Sequence, residues 1–251
     1  SSGSMQTGWF NDGSAWYYAN ANGGIQTGWL NDGGAWYWLN SSGSMATGWV
    51  PVGGSWYFFS GSGVMQTGWI SSGGTWYLLG ESGAMTTGWA KVGDSWYLLS
   101  GSGAMLTGWQ MINGTWYYLD ASGAMVVGWR FVGSSWYYFD AFGSMATGWR
   151  QAGDTWFYLD DSGAMRTGWL KTASGWYYLS ASGEMVTGAV QVDGIDYVFD
   201  DSGLLVDGSE NARTFVNEFG ELAEGPAEEG TTLAEGVADA DGLEMSVLPA
   251  A

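Results

Sequence analysis

Eighteen of the nineteen tryptophans fall into two columns when the sequence is written in rows of twenty. The ninth place of nine successive rows holds Trp9, Trp29, Trp49, Trp69, Trp89, Trp109, Trp129, Trp149 and Trp169. The sixteenth place holds Trp16, Trp36, Trp56, Trp76, Trp96, Trp116, Trp136, Trp156 and Trp176, and Trp38 alone stands elsewhere. Indole presents a large negative π-face, and two or three such faces around one point attract a cation of diffuse charge without hydrogen-bond donors, above all a quaternary ammonium. With about 0.5–2 kcal/mol from each face, a three-walled cage binds one small headgroup at roughly millimolar strength. Useful affinity then requires many cages on one polymer. A methionine column accompanies the indoles at the fifth place, including Met45, Met65, Met85, Met105, Met125, Met145 and Met165, with Ile25 in the second row. Its polarizable sulfur suits both a cage wall and packing between repeats.

Other chemistries find no residues to carry them. The 251-residue chain has no Cys and no His, which removes thiolate nucleophiles, disulfides and the commonest proton shuttle and zinc ligands. No metal, cofactor or catalytic constellation is expected. Asp160-Asp161 and Asp200-Asp201 read as turn residues rather than a glycosidase pair, because they sit where each row leaves its second strand. Asp239, Asp241 and Gly242 imitate part of a calcium loop, but Val237 and Leu248 stand at its first and last ligand positions. A formal net charge of −19 with no basic cluster argues against nucleic acid and against membrane binding, and no apolar run is long enough to span a bilayer.

The columns imply the elements that position them. Gly recurs at the third and eighth places of every row to Gly203 and Gly208. Each row reads as a hairpin: a Thr-Gly-Trp strand, a turn at Asp12-Gly13, Asp32-Gly33, Asn113-Gly114 or Asp193-Gly194, then an aromatic strand such as Trp116-Tyr117-Tyr118-Leu119. The turn dipeptides fall in two registers. One sets Trp9 opposite Trp16; the other sets the ninth residue opposite the eighteenth and the eleventh opposite the sixteenth. Both place the two tryptophans and the eighteenth residue on one face, and Tyr17, Tyr37 and Tyr57 on the other, where they read as structural. Twenty residues cannot enclose a core, so the expected architecture is an all-β solenoid of stacked two-stranded hairpins over residues 1–208. The tenth hairpin, with Ala189, Asp193 and Asp196, reads as a cap. Residues 209–251, with ten acidic residues and Arg213, read as an acidic tail. One short helix is expected around Phe215, Val216, Phe219 and Leu222, then disordered chain from Glu224.

Thr-Gly-Trp, then Trp-Tyr-Tyr-Leu, then Ser-Gly-Ala-Met at a twenty-residue period closely resembles the choline-binding, or cell-wall-binding, repeats of Gram-positive surface proteins and phage lysins. The resemblance covers residues 1 to about 208. It implies a superhelix with roughly three hairpins per turn and choline sites between consecutive hairpins. Each site would take two aromatics from one repeat, one from the next, and a Met alongside. Trp9 and Trp16 would thus be joined by an aromatic of the second row, such as Trp36. The implied partner is choline or phosphocholine on wall teichoic or lipoteichoic acid, and the implied location is secreted and wall-associated.

This chain departs from the family in two respects. It carries Phe10, Leu30, Val50, Ile70 and Ala90 where family members often have Lys. Leu78 and Leu98 at the eighteenth place would also weaken cages around the fourth and fifth hairpins if that position lines them. The ninth-to-tenth junction, lacking next-row tryptophans, is the one expected to be lost. Two other readings stand beside this one: an α-glucan-binding repeat module, and a structural stalk or adhesin without a small ligand. Ser1-Ser2-Gly3-Ser4-Met5 is no signal peptide and the chain begins inside a repeat, so a longer protein is expected, with any enzyme in a missing N-terminal part.

Overall fold

A computed structural model describes residues 5–208, and among them every regular element is a β-strand. The expected tail and its short helix lie outside the described residues. Ten antiparallel hairpins follow one another at twenty-residue steps: Gly8–Asn11 with Trp16–Ala19, Gly28–Asp32 with Ala35–Leu39, and so on to Gly188–Val192 with Ile195–Phe199. A last strand, Leu205–Gly208, joins the tenth hairpin and makes a three-stranded sheet with an irregularity at Val198/Phe199. The described chain divides into two compact units, residues 5–108 with 119–125 and residues 109–118 with 126–208. The same packing recurs inside each.

One register serves the hairpins. Trp9 pairs with Tyr18 and Asn11 with Trp16, just as Trp29 pairs with Trp38 and Asn31 with Trp36. The second register, with Trp9 opposite Trp16, is not formed. The reason lies in which residues take positive φ. Gly33 and Gly34 sit at 59° and 86°, and Asn113 and Gly114 at 51° and 82°, so the mirror-image turn centres on the thirteenth and fourteenth places. In the first hairpin Asp12 stands before the turn and caps it, accepting hydrogen bonds from Ser14 N at 2.8 Å and Ala15 N at 2.9 Å.

Hairpins are stitched together by the segments between them. The Met45 amide donates to the Trp16 carbonyl at 2.8 Å, while the Ala46 amide donates to the Trp38 carbonyl at 2.8 Å. The segment leaving the second hairpin therefore lies between the second strands of hairpins one and two. The bond recurs from Met65 to Trp36 through to Met185 to Trp156, at 2.7–2.8 Å. At the start of each segment the twentieth residue folds a tight turn, as Asp160 does by accepting from Ser162 N at 2.9 Å and Ala164 N at 3.2 Å. Asp200 does the same with Ser202 and Leu204, and the Ser202 hydroxyl above all lowers its pKa. These aspartates are turn residues.

The core is the nineteenth column. Ala19, Leu39, Phe59, Leu79, Leu99, Leu119, Phe139, Leu159, Leu179 and Phe199 are at most 3% exposed. The third-place glycines seat the methionine of the preceding row. Gly83 has a φ of 81°, and a Cβ built there would collide with the Met65 sulfur and sit 2.7 Å from its methyl carbon. The tenth hairpin turns Ala189, Gln191, Asp196 and Val198 to solvent and buries Val192, Tyr197 and Phe199.

Gly83→Ala combines a left-handed backbone penalty of about 1–2 kcal/mol with overpacking of about 1–3 kcal/mol, and urea unfolding should show both. Adding Met65→Ala should recover only the second part. Gly73→Asn should cost less than about 0.5 kcal/mol, because Asn relaxes into such turns, Gly73 has nothing within 4 Å and Asn113 already occupies that place. The backbone N–H of Ala15, the Ser14 hydroxyl and the backbone N–H of Ser14 lower the Asp12 pKa from 3.8 to about 2. Its contribution to stability is thus present above pH 3.8 and lost as pH falls through about 2. Carboxyl-carbon NMR should give that midpoint, and Ser14→Ala should raise it.

Candidate cation sites between hairpins

Stacking brings the tryptophan face of one hairpin against the opposite face of the next. At the four junctions in the first unit, Trp9 meets Tyr37 at 4.7 Å between ring centroids, Trp29 meets Tyr57 at 4.9 Å, Trp49 meets Tyr77 at 4.8 Å and Trp69 meets Tyr97 at 4.9 Å. Four in the second unit repeat this: Trp109 with Tyr137 at 4.8 Å, Trp129 with Phe157 at 4.7 Å, Trp149 with Tyr177 at 4.8 Å and Trp169 with Tyr197 at 4.7 Å. The next-row aromatic at Trp9 is therefore Tyr37, not Trp36. The seventeenth column does lie opposite the tryptophans of its own hairpin, but that back face packs onto the hairpin before it. Its tyrosines wall the junctions.

In three hairpins the two tryptophans make a corner rather than a stack. Trp29 and Trp36 stand 6.1 Å apart at 89°, Trp109 and Trp116 at 6.1 Å and 87°, and Trp169 and Trp176 at 6.2 Å and 90°. Trp16, Trp36, Trp56, Trp76, Trp96, Trp116 and Trp156 are 38–47% exposed. In these seven rows the sixteenth residue is thus not core, and its π-surface faces solvent. The ninth column is mostly half-buried against the next hairpin, Trp29 being the most open at 38%. The eighteenth residue lies against the ninth, at 5.2 Å for Trp29 and Trp38, and becomes buried where it is Leu78 or Leu98. It floors the junction. Met45, Met65, Met85, Met105, Met125, Met145 and Met165 are half-buried, and the sulfurs of Met45, Met65, Met85, Met105, Met145 and Met165 lie against the glycine of the following row.

Indole N–H groups of the ninth column point toward the twelfth place of the next hairpin. Trp9 Nε1 donates to Asp32 Oδ2 at 2.9 Å, and Trp49 Nε1 to Ser72 Oγ at 3.3 Å. The first of these sets a carboxylate at the edge of the first junction. The ninth junction keeps a seventeenth-place tyrosine, Tyr197, on Trp169, and Phe199 lies 5.9 Å from the same ring. It also holds a cation of its own on one wall, with Lys171 Nζ 5.1 Å from the Trp176 ring. Among the described residues no three acidic, His or Cys side chains gather as a metal site.

The arrangement matches known proteins. The sequence model of the choline-binding repeat matches residues 26–65, 46–87, 86–128, 126–166 and 146–189, and a cell wall binding repeat model matches residues 7–25. Among solved structures, choline binding protein F of Streptococcus pneumoniae is 30% identical with a TM-score of 0.54, covering 87% of this chain and 100% of its own. CbpJ of the same organism is 30% identical with a TM-score of 0.55, over 85% of this chain and 99% of its own. The modular autolysin LytC, also from Streptococcus pneumoniae, is 30% identical with a TM-score of 0.58 over 82% of this chain, which spans 50% of that protein. No curated protein sequence matches the chain significantly.

Asp32→Ala should leave the half-buried Trp9 N–H without its acceptor, at a cost of about 1 kcal/mol in unfolding experiments. Asp32→Asn keeps an acceptor and should cost little. Hydrogen exchange at the Trp9 indole should accelerate only in the alanine variant.

Proposed function

The chain belongs to the choline-binding repeat family, a non-catalytic module for attachment to choline-bearing cell wall, and from that premise we propose how its junctions do the work. A choline headgroup enters the corner between the ninth- and sixteenth-place tryptophans of one hairpin and is closed in by the seventeenth-place tyrosine of the next. Trp29, Trp36 and Tyr57 are one such set, and Trp49, Trp56 and Tyr77 the following one. The observation that carries this reading is the row of sixteenth-place tryptophans left 38–47% exposed beside a separate, fully buried core column. A stalk that used indole only for packing would bury it. The methionines act from behind, holding successive segments in place, rather than as primary walls.

The trimethylammonium group suits these walls because it offers no hydrogen-bond donor and needs no acceptor, and ring faces supply the compensation for its lost hydration. Affinity for the wall comes from several junctions engaging phosphocholine groups along one polymer, which we take to be teichoic or lipoteichoic acid. The protein carrying the module would act outside the cell at the wall. The α-glucan reading finds no comparable support, since perpendicular, paired indoles do not offer the flat platform on which a sugar ring stacks.

Titration with choline chloride should saturate in the millimolar range, shift tryptophan fluorescence and raise the melting temperature, while matched sodium chloride and glucose oligomers should not. Trp36→Ala should remove one site by calorimetry with a modest loss of stability, because the side chain is 44% exposed. Leu39→Ala, at a core position with 0% exposure, should instead cost about 2–5 kcal/mol. An unchanged site count in Trp36→Ala would refute the cage.

A further inference from the structure

One junction differs from the rest. In the seventh hairpin, Gly128–Val132 with Ser135–Phe139, Trp136 is only 8% exposed, against 38–47% for seven of its column mates. Tyr138 beneath it is 3% exposed. Two side chains close the space. Phe131, which pairs with Trp136 across the hairpin, leans on it at 5.4 Å and 54°. Arg150 reaches in from the eighth hairpin, Gly148–Ala152 with Thr155–Leu159, and its guanidinium carbon lies 4.9 Å from the centre of the Tyr138 ring. Arg150 pairs with Phe157, the residue that packs on Trp129, so both project from the same back face into the same junction.

Resting on the reading of the junctions as cation sites, we propose that the seventh junction is filled by the protein's own cation: Arg150 occupies the place a choline headgroup takes elsewhere, and this junction binds none. A guanidinium is planar, weakly hydrated and well suited to lie on an aromatic face. Its Nε, like the indole nitrogens of Trp129 and Trp136, is buried and finds no hydrogen-bond partner among the protein's own groups. Trp129 lacks an acceptor because the twelfth place of the eighth hairpin is Ala152, where the first junction has Asp32. The matched contrast is Arg130, at the same tenth place one row earlier. Arg130 is exposed, and Trp116 of the preceding hairpin remains 38% exposed.

The experiment is choline calorimetry on the full chain with Arg150→Ala and Arg130→Ala. Arg150→Ala should gain one site relative to the wild type, while Arg130→Ala should keep the wild-type number. In choline-free buffer Arg150→Ala should melt lower, and choline should restore it by more than it raises the wild type. A wild-type site count in a natively folded Arg150→Ala would overturn the proposal. So would a choline-soaked crystal of the wild type with a headgroup against Trp136 and Tyr138, a measurement that holds even if the variant does not fold. A wild type that takes up no choline at all is a different result, and would remove the cation-site reading itself together with this proposal.

Discussion

The hydrogen bond from each fifth-place amide to the sixteenth-place carbonyl two rows earlier is what turns a series of hairpins into a structure. A two-stranded hairpin alone is marginal in water. Here the segment leaving each hairpin runs back between two neighbouring second strands, with Met45 N on Trp16 O to one side and Ala46 N on Trp38 O to the other. Backbone groups that an isolated hairpin would leave to solvent find partners within the stack. The third-place glycine follows from this: the segment must turn with a φ near 80° and must also leave room for the sulfur of the preceding row, and no side chain satisfies both.

Because main-chain stitching, the nineteenth column and the contacts of the ninth with the seventeenth carry the packing, most of the sixteenth column is free of that duty. Leu39 and Phe59 are buried as core residues are, while Trp36 and Trp56 between them stay 44–45% exposed. An exposed indole in seven of the rows is a standing cost unless something covers it. The division of labour between the nineteenth and sixteenth places therefore says more about function than the number of tryptophans does.

Much of this was legible in the sequence, because a period of twenty with Gly, Trp and Met in fixed places admits few solutions. Hairpins, their stacking, and the shared face of the ninth, sixteenth and eighteenth residues follow from period-two alternation and from the inability of twenty residues to enclose a core, whereas the junctions as binding places come only from the family resemblance. What did not follow is instructive. Alternation assigns faces within a hairpin but says nothing about which face meets the neighbour, so Tyr37 and Tyr57 read as structural without showing that they pack on Trp9 and Trp29 of the hairpin before. Asp12-Gly13 looks like a central turn pair, yet an aspartate before a turn caps it equally well, and only the φ values separate the two. The core column was hidden behind the aromatics, since Leu119 or Leu159 at the end of a strand looks unremarkable beside Trp-Tyr-Tyr.

The scarcity of basic residues acquires a physical meaning from the same geometry. Five Lys or Arg side chains lie within the repeats, and two of them, Arg150 and Lys171, rest on aromatic rings of the junctions. On the proposed reading of the junctions as cation sites, a lysine or arginine that reaches a junction ring, as Arg150 and Lys171 do and the exposed Arg130 does not, is a tethered competitor for them. Tethering gives such a side chain an effective concentration that free choline would have to exceed, which favours the internal cation even at equal intrinsic affinity. Aliphatic residues at Leu30, Val50, Ile70 and Ala90 avoid that competition. The net charge of −19 acts in the same direction, because a negative field enriches mobile cations near the surface without holding any one of them in a cage. Low lysine content and an acidic surface are thus consistent with keeping weak cation sites vacant until a polymer bearing many headgroups arrives.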